Sequence, residues 1–173
     1  MKTRPTLYVF SGLPGVGKST LAKMLASYTN ATYLSIDTIE QALRDLCSLN
    51  VQGEGYRLSY RVAKDNLQIG NSVIADSCNP IQLTRDEWQE VACSADAAFM
   101  NIEIICSNHK IHKQRVESRS SNIPNFALPS WQEVVDREYH EWKEDRVIID
   151  TAKKSIDKSF FELNYYINNR NIG

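Results

Sequence analysis

The sequence lacks the long apolar runs of a membrane protein and the paired cysteines of a secreted one. No stretch approaches the ~20 apolar residues that a transmembrane helix needs, so we expect no membrane span. The four cysteines form no C-x-x-C pair, which indicates reduced thiols and a cytoplasmic location. Charge of one sign is not in excess either, because 20 basic residues stand against 21 acidic ones. Nucleic-acid binding, which needs a basic surface, is therefore possible through a local groove but not favoured.

Internal repeats, low-complexity tracts and interdomain linkers are also missing. With 173 residues, 42% of them hydrophobic, the chain can bury one core, and we expect a single domain over residues 1–173. Short apolar runs alternate with segments of helical periodicity, which is typical of a parallel sheet with helices on both faces. The sequence predicts strands at Leu7–Phe10, Thr32–Ser35, Ser72–Ala75, Ile102–Cys106 and Val147–Ile149.

Two capping-box sequences predict where helices begin. They are Thr84-Arg85-Asp86-Glu87 and Ser130-Trp131-Gln132-Glu133, each followed by apolar residues at helical spacing. The stretch before the second one contains Pro124 and Pro129 and cannot be regular helix. We therefore expect a small lid at about residues 108–130.

A glycine-rich motif is the strongest feature that the sequence does contain. Residues 12–19, GLPGVGKS, fit G-x-x-x-x-G-K-[ST] between a predicted strand and a predicted helix. Glycines let the backbone wrap around phosphate oxygens, and the helix adds its positive dipole end. We expect Lys18 to contact the β- and γ-phosphates of a nucleoside triphosphate, and Ser19 to offer a hydroxyl to Mg²⁺. The residues expected to bind the nucleotide are Gly12, Leu13, Pro14, Gly15, Val16, Gly17, Lys18, Ser19 and Thr20.

Asp76 is the second candidate magnesium ligand. It follows the third predicted strand, and ligands gather at the carboxyl ends of strands in open α/β sheets. The alternative is that Asp76 only stabilises a turn. The next residue is Ser77 instead of the glutamate that motor and transporter ATPases use to polarise water, which disfavours a dedicated ATPase. No N-K-x-D sequence is present to read guanine, which disfavours a GTPase.

Asp37 is the candidate for handling an acceptor hydroxyl. A kinase needs a group that orients this hydroxyl and accepts its proton. Asp37 lies just after the second predicted strand and before a helix, where it can open onto the same crevice as the glycine-rich loop. The alternative is that Asp37 only caps that helix.

Arg115 and Arg119 are the candidates for stabilising the transferred phosphate. Four residues apart, they share one face of a predicted helix just before the lid. The alternative is a solvated basic face. His109 and His112 lie on the same helix without an acidic or cysteine partner at metal-ligand spacing, so we expect them on the surface.

Together these motifs resemble the small P-loop kinases of the adenylate-kinase-like group, nearest the polynucleotide-kinase and zeta-toxin-like branch with an AAA-type ATP-binding domain. The resemblance covers roughly residues 7–151 and rests on GLPGVGKST, SID, SVIADSCNP, the arginine pair and RVIIDT. It implies an α/β three-layer P-loop NTPase fold with a five-stranded parallel sheet of order 2-3-1-4-5, helices on both faces and a small lid. It also implies that ATP and Mg²⁺ are used, that Asp37 assists the acceptor hydroxyl and that the lid arginines contact the triphosphate.

Glu40 departs from the pattern of the polynucleotide kinases, which often carry an arginine one turn after the aspartate. A carboxylate there would repel an acceptor phosphate. We therefore expect an ATP-dependent kinase acting on a hydroxyl of a small molecule or nucleoside. A 5′-hydroxyl polynucleotide is an alternative acceptor, to which Arg57 and Arg61 could contribute. A nucleotide-binding switch or slow ATPase that regulates a partner is the alternative function. No motif in the sequence encodes the acceptor's identity or the oligomeric state.

Overall fold

A computed structural model of the chain describes residues 4–169, in which five strands pair side by side. The strands are β1 (Thr6–Ser11), β2 (Thr32–Ser35), β3 (Val73–Asp76), β4 (Ala98–Ile105) and β5 (Val147–Asp150). They form one parallel sheet in the order β2-β3-β1-β4-β5, which confirms the predicted sheet. β4 begins before the predicted Ile102, and β3 includes Asp76 as its last residue.

Helices cover both faces of this sheet, as predicted. They are α1 (Lys18–Thr29), α2 (Ile36–Cys47), α3 (Glu54–Gln68), α4 (Gln82–Ser94), α5 (His109–Ser118), α6 (Trp131–Val135) and α7 (Ile156–Asn169). Between residues 4 and 169, none of the helices is long and apolar enough to cross a membrane.

β1 runs through the centre of the sheet, and its side chains alternate between two hydrophobic cores. Tyr8 and Phe10 pack in the core that contains residues of α1 and α7. Leu7 and Val9 pack in the other core, with residues of α3 and α4. Because both faces of the strand are buried, its central residues Leu7–Phe10 lack the apolar–polar alternation of a half-exposed strand.

The two predicted capping boxes have different outcomes. At α6 the prediction is confirmed, since the Ser130 and Glu133 side chains bond each other's backbone N–H groups. At α4 it is wrong, because the helix begins at Gln82 and Ile81 is the residue before it. The Thr84 hydroxyl donates backward to the Ile81 carbonyl at 2.9 Å, inside the first turn, instead of accepting from a helix N–H.

An irregular stretch, residues 119–130, connects α5 to α6 and is called the 119–130 segment below. It is shorter than the expected lid region, because residues 109–118 form the regular helix α5. The Asn125 side-chain amide donates to the Asp45 carboxylate of α2 at 3.3 Å. The segment thus reaches across from α5 to α2.

Candidate active site

The glycine-rich motif forms the turn between β1 and α1. Gly12, Gly15 and Gly17 have positive φ angles of 142°, 85° and 96°. A Cβ atom at Gly12 would lie 2.3 Å from the Ile104 carbonyl oxygen, and one at Gly15 would lie 2.5 Å from Cγ2 of Val116. Side chains are excluded at these positions, so the glycines determine the shape of the loop.

Contacts from two other strand ends hold the loop in place. The Gly12 N–H donates to the carbonyl of Cys78, just after β3, at 3.1 Å. The hydroxyl of Thr151, just after β5, donates to the Val16 carbonyl at 2.7 Å. The loop is therefore fixed against the sheet on both sides of β1, which preorganises it for phosphate binding.

His112 also contacts the loop, and the prediction that it lies on the surface is wrong. It is 7% exposed, and its Nε2–H donates to the Pro14 carbonyl at 2.8 Å. The Trp131 ring packs edge-on against the imidazoles of His112 and His109, at 5.1 and 4.8 Å between centroids. His112 thus connects the phosphate loop to α5 and α6, which flank the 119–130 segment.

Lys18 and Asp76 form a buried ion pair at the base of the loop. Lys18 Nζ donates to one Asp76 oxygen at 2.7 Å, and the Tyr33 hydroxyl donates to the other at 2.6 Å. Burial is the largest single influence and raises the pKa of Asp76. The Lys18 charge and the hydrogen bonds that the carboxylate accepts together outweigh burial, and they hold that pKa below its usual value. The Ser19 hydroxyl also bonds to the Asp76 carboxylate. The structure therefore brings together the two predicted magnesium ligands, Ser19 and Asp76, beside the predicted phosphate-binding lysine.

Asp37 lies in the first turn of α2, but another residue caps the helix. The Ser35 Oγ accepts the Thr38 N–H at 3.3 Å, so Ser35 is the N-cap. Asp37 instead lines the main cavity of the molecule. The interpretation of Asp37 as only a cap is therefore wrong, because the cap position belongs to the serine two residues earlier.

Several charges act on the Asp37 carboxylate. Burial is the largest influence and raises its pKa, whereas the positive charge of Lys18 lowers it. The Asp76 carboxylate raises it further, while Arg137 and Arg119 lower it, and the net pKa lies above the usual value. A carboxylate with a raised pKa accepts a proton more readily, which suits a general base.

Arg115 and Arg119 do not share a helix face, contrary to the prediction. α5 ends at Ser118, and Arg119 continues in an extended conformation with φ −76° and ψ 152°. The Arg115 guanidinium donates to the Thr151 hydroxyl at 2.8 Å and to its carbonyl at 3.0 Å. Nε of Arg119 is buried and, among residues 4–169, has no hydrogen-bond partner. Arg115 is thus bound to the sheet, while Arg119 keeps donor capacity for a ligand.

One cavity of about 1060 Å³ is lined by five of the predicted site residues, Lys18, Ser19, Asp37, Arg115 and Arg119. The phosphate loop, α2 and the 119–130 segment form its walls, together with Cys78 and Arg137. A second cavity, of about 260 Å³, lies on the β5 side of the loop, where Thr20, Arg115 and Thr151 are among its lining residues.

Arg137 is the site residue that sequence reasoning missed. It follows α6 in a stretch without a recognisable motif, so no local pattern marked it. Its guanidinium lies beside the Cys78 thiol and near Asp37 and Arg119. Only the tertiary structure brings these four side chains together.

Glu40 also lines the cavity, but it is not a lone negative charge. Its carboxylate pairs with the Arg44 guanidinium at 3.4 Å, one turn along α2. Its side chain packs so closely on α3 that a Cβ at Gly55 would lie 2.2 Å from Cγ of Glu40. Arg57 and Arg61 are exposed and do not line the cavity.

The comparison with protein families agrees with this geometry. The family model of the AAA domain matches residues 7–137, which include the phosphate loop, Asp37, Asp76, Arg115 and Arg119. The chain belongs to the AAA domain family. This confirms the resemblance to P-loop proteins, and the AAA domain here extends over most of the sheet.

Solved structures with the same fold as this AAA domain include those of two kinases and of Kti12. APS kinase of Mycobacterium tuberculosis, solved with AMPPNP and APS, is 18% identical with a TM-score of 0.72, covering 95% of this chain and 98% of that one. A gluconokinase of Sinorhizobium meliloti is 13% identical with a TM-score of 0.63, and the match covers 96% of this chain and 99% of that one. Kti12 of Chaetomium thermophilum, solved with ADP-AlF3, is 20% identical with a TM-score of 0.68, and the match covers 94% of this chain and 97% of that one. At these identities the likeness shows a shared fold.

Proposed function

We propose that this AAA domain is an ATP-dependent kinase that transfers the γ-phosphate to a hydroxyl of a small molecule or nucleoside. The observation that carries the proposal is the position of Asp37. This carboxylate does not cap its helix, has a raised pKa and lies in one cavity with the phosphate loop and Arg119. A protein that only bound or slowly hydrolysed the nucleotide would not need it there.

ATP binding would use the loop and the smaller cavity. Backbone N–H groups of residues 12–19 and the amino end of α1 would hold the phosphates, with Lys18 as the buried cation. The 260 Å³ cavity opens on the β5 side of the loop, so the base would lie between α1 and Thr151. In this arrangement Arg115 would line the part of the cleft that holds the nucleotide base.

Mg²⁺ would be held by Ser19 and Asp76. Both offer oxygen, the donor atom that Mg²⁺ prefers, and they already contact each other. Among residues 4–169 no group of three His, Cys, Asp or Glu side chains could hold a metal alone, so phosphate oxygens and water would complete the coordination. The ion would neutralise charge on the β- and γ-phosphates.

The chemical step then involves Asp37 and Arg119. Asp37 orients the acceptor hydroxyl and takes its proton as the hydroxyl oxygen bonds to the γ-phosphorus. The bond from that phosphorus to the bridging oxygen breaks, and ADP leaves with the bonding electrons. Arg119, whose Nε has no hydrogen-bond partner within residues 4–169, stabilises negative charge on the phosphoryl group during transfer.

The names of two structural neighbours, APS kinase and gluconokinase, support kinase activity. We also propose that residues 4–169 work as one kinase domain with the 119–130 segment as its lid. The free state of all four cysteines supports a cytoplasmic location.

A transfer assay tests the proposed function. The protein is incubated with Mg²⁺-ATP and a panel of hydroxyl compounds, including sugars, nucleosides and 5′-hydroxyl oligonucleotides, and products are read by ³¹P NMR. We expect a phosphate ester of a small compound, formed faster than free phosphate. If every acceptor yields only free phosphate at one slow rate, the protein is a switch or slow ATPase. Esters formed only on oligonucleotides would identify a polynucleotide kinase.

A further inference from the structure

We propose that the acceptor is a small anionic hydroxyl compound and that Arg137 binds its anionic group. The proposal rests on the proposed kinase function and concerns the half of the cavity beyond the phosphate loop. The anion is a carboxylate, sulfate or phosphate group near the reacting hydroxyl, since these are the groups that a guanidinium binds with paired hydrogen bonds.

The order of the strands divides the cleft into three parts. β1 carries the phosphate loop, β5 lies on the side of the smaller cavity, and β3 and β2 lie on the opposite side. Asp37 follows β2, and Cys78 follows β3. Arg137 lies beside Cys78, so it belongs to the Asp37 side, where the acceptor is handled.

Basic side chains outnumber acidic ones in the main cavity. The basic residues are Lys18, Lys23, Arg44, Arg115, Arg119 and Arg137, and the acidic ones are Asp37, Glu40 and Glu133. Most of the basic groups already have partners. Lys18 pairs with Asp76, Arg44 pairs with Glu40, and Arg115 bonds to Thr151. Lys23 lies over the Tyr33 ring, 5.8 Å from its centroid.

Arg137 remains available. Within residues 4–169 no carboxylate oxygen forms an ion pair with its guanidinium, and the residue is exposed to the cavity. The carboxylate of Glu133, one turn earlier, accepts hydrogen bonds from the Ser130 N–H at 2.8 Å and from the Ser130 hydroxyl at 2.7 Å. Asp37 attracts Arg137 across the cavity but is needed for the hydroxyl. An anionic acceptor would give Arg137 the ion-pair partner that residues 4–169 do not supply.

The chain that follows Arg137 is fixed to the body of the domain. Arg85, 1% exposed, donates to the carbonyls of His140 at 3.0 Å and Glu141 at 3.2 Å. The Tyr139 hydroxyl donates to Glu103 of β4 at 3.1 Å. Arg137 is therefore placed by the rigid core and not by the 119–130 segment. A preplaced cation suits recognition of a charge that the substrate carries before reaction.

Two further observations define the acceptor. The contact of Asn125 with Asp45 draws the 119–130 segment across the cavity to α2, which favours a small acceptor over a polynucleotide. The Glu40 carboxylate, expected from the sequence to repel an anion, is compensated by Arg44. The charge at the acceptor side therefore permits an anionic compound.

Binding of inorganic sulfate provides the first test. The protein is saturated with Mg²⁺ and AMPPNP, so that the triphosphate sites are filled, and sulfate is titrated by calorimetry. We expect Arg137→Ala to weaken sulfate binding about tenfold or more. Arg137→Lys keeps the charge but loses the paired hydrogen bonds, so it should weaken sulfate binding less than Arg137→Ala does. Arg61→Ala, which removes one exposed arginine outside the cavity, should bind sulfate like the parent. AMPPNP affinity should be equal in all four proteins.

Matched acceptor pairs provide the second test. Glycerol and glycerate, glucose and gluconate, and adenosine and adenosine 3′-phosphate are compared by ester formation. We expect the anionic member of a pair to have the lower KM, and Arg137→Ala to raise that KM while the neutral member is unaffected. Sulfate binding that is identical in Arg137→Ala and the parent, or a preference for neutral members, overturns the proposal. Loss of AMPPNP binding in the parent protein would instead contradict the proposed kinase function.

Discussion

The phosphate half and the acceptor half of the cleft are built in different ways. The phosphate half is a continuous loop, residues 12–19, whose glycines adopt positive φ angles and whose lysine is buried against Asp76. The acceptor half combines Asp37, Cys78 and Arg137, which lie on three separate segments of the chain. Local backbone geometry therefore forms the first half, and long-range packing forms the second.

The two halves also differ in how their charges are balanced. At the phosphate loop, the Lys18 and Asp76 charges are 10% and 3% exposed and balance each other. At the acceptor side, Asp37 has a raised pKa and Arg137 has no ion-pair partner within residues 4–169. In the phosphate half the Lys18 and Asp76 charges thus neutralise each other before ligands bind, whereas the proposed acceptor half is suited to a charge supplied from outside.

Lys18→Ala should have the largest effect, because it removes charge from the phosphate half. We expect phosphoryl transfer to fall about a thousandfold, the upper range for one group that stabilises transition-state charge. Asp76 would also remain buried without its partner, so the free energy of unfolding should fall by about 3 kcal/mol. Rates and denaturant unfolding measure the two effects. The exposed Lys143→Ala is the control, and an unchanged rate in Lys18→Ala would contradict the P-loop interpretation.

Asp37→Asn should reduce kcat about a hundredfold, because Asn keeps the size of the side chain but cannot accept the proton. ATP affinity, measured by calorimetry, should stay the same. A dependence of ATP affinity on Asp37 would show that the two halves are not separate, and Asp65→Asn on exposed α3 is the control.

Although Asp37→Asn should lower kcat, it should raise the stability of the protein at neutral pH. Because the pKa of Asp37 is raised on folding, its ionised form is disfavoured in the folded protein. The parent therefore loses stability as the pH rises from the usual carboxyl pKa of about 4 through the raised value. We expect Asp37→Asn to have the higher Tm at neutral pH and no advantage at pH values below about 4. If Asp37→Asn and the parent protein have the same Tm at neutral pH as well as at acidic pH, the raised pKa of Asp37 is contradicted.

Arg119→Ala should mainly lower the rate of phosphoryl transfer, whereas Arg115→Ala should mainly lower ATP affinity and stability. Arg119 lines the cavity, and its Nε has no hydrogen-bond partner within residues 4–169. Its removal should therefore lower kcat about thirtyfold with little change in ATP affinity. Arg115 bonds to Thr151, so its removal should weaken ATP binding and lower the Tm. Steady-state kinetics with thermal unfolding distinguishes them. Small and equal effects of both variants would assign the pair to a solvated basic surface.

Ser19→Ala should have the smallest effect, on the requirement for magnesium. Half-maximal activity should need about tenfold more Mg²⁺, because one oxygen donor and its contact with Asp76 are lost. The measurement is a Mg²⁺ titration at saturating ATP, with Ser94→Ala on α4 as the control. A titration curve identical to the parent's would remove Ser19 from the metal site.

Sequence reasoning succeeded wherever a local pattern determines the structure. The motif at residues 12–19 sets its own conformation through glycine, and uniformly apolar runs such as Leu7–Phe10 indicate strands buried on both faces. It failed at Thr84, whose hydroxyl had two possible backbone partners, and at His112, whose burial depends on the carbonyl of Pro14. In both cases the side chain bonds to a backbone carbonyl, and the residue type alone does not predict which carbonyl that is.

The sequence by itself therefore determined the P-loop and the parallel sheet, because strand ends and glycine turns are encoded locally. It also led to the prediction that Lys18, Asp37 and Asp76 belong to one site. The tertiary structure decided that Ser35 and not Asp37 is the helix cap, that Arg115 is bound to Thr151, and that Arg137 lies near Asp37. These facts depend on side chains from distant segments competing for the same partners. Such competition is settled only when the chain packs.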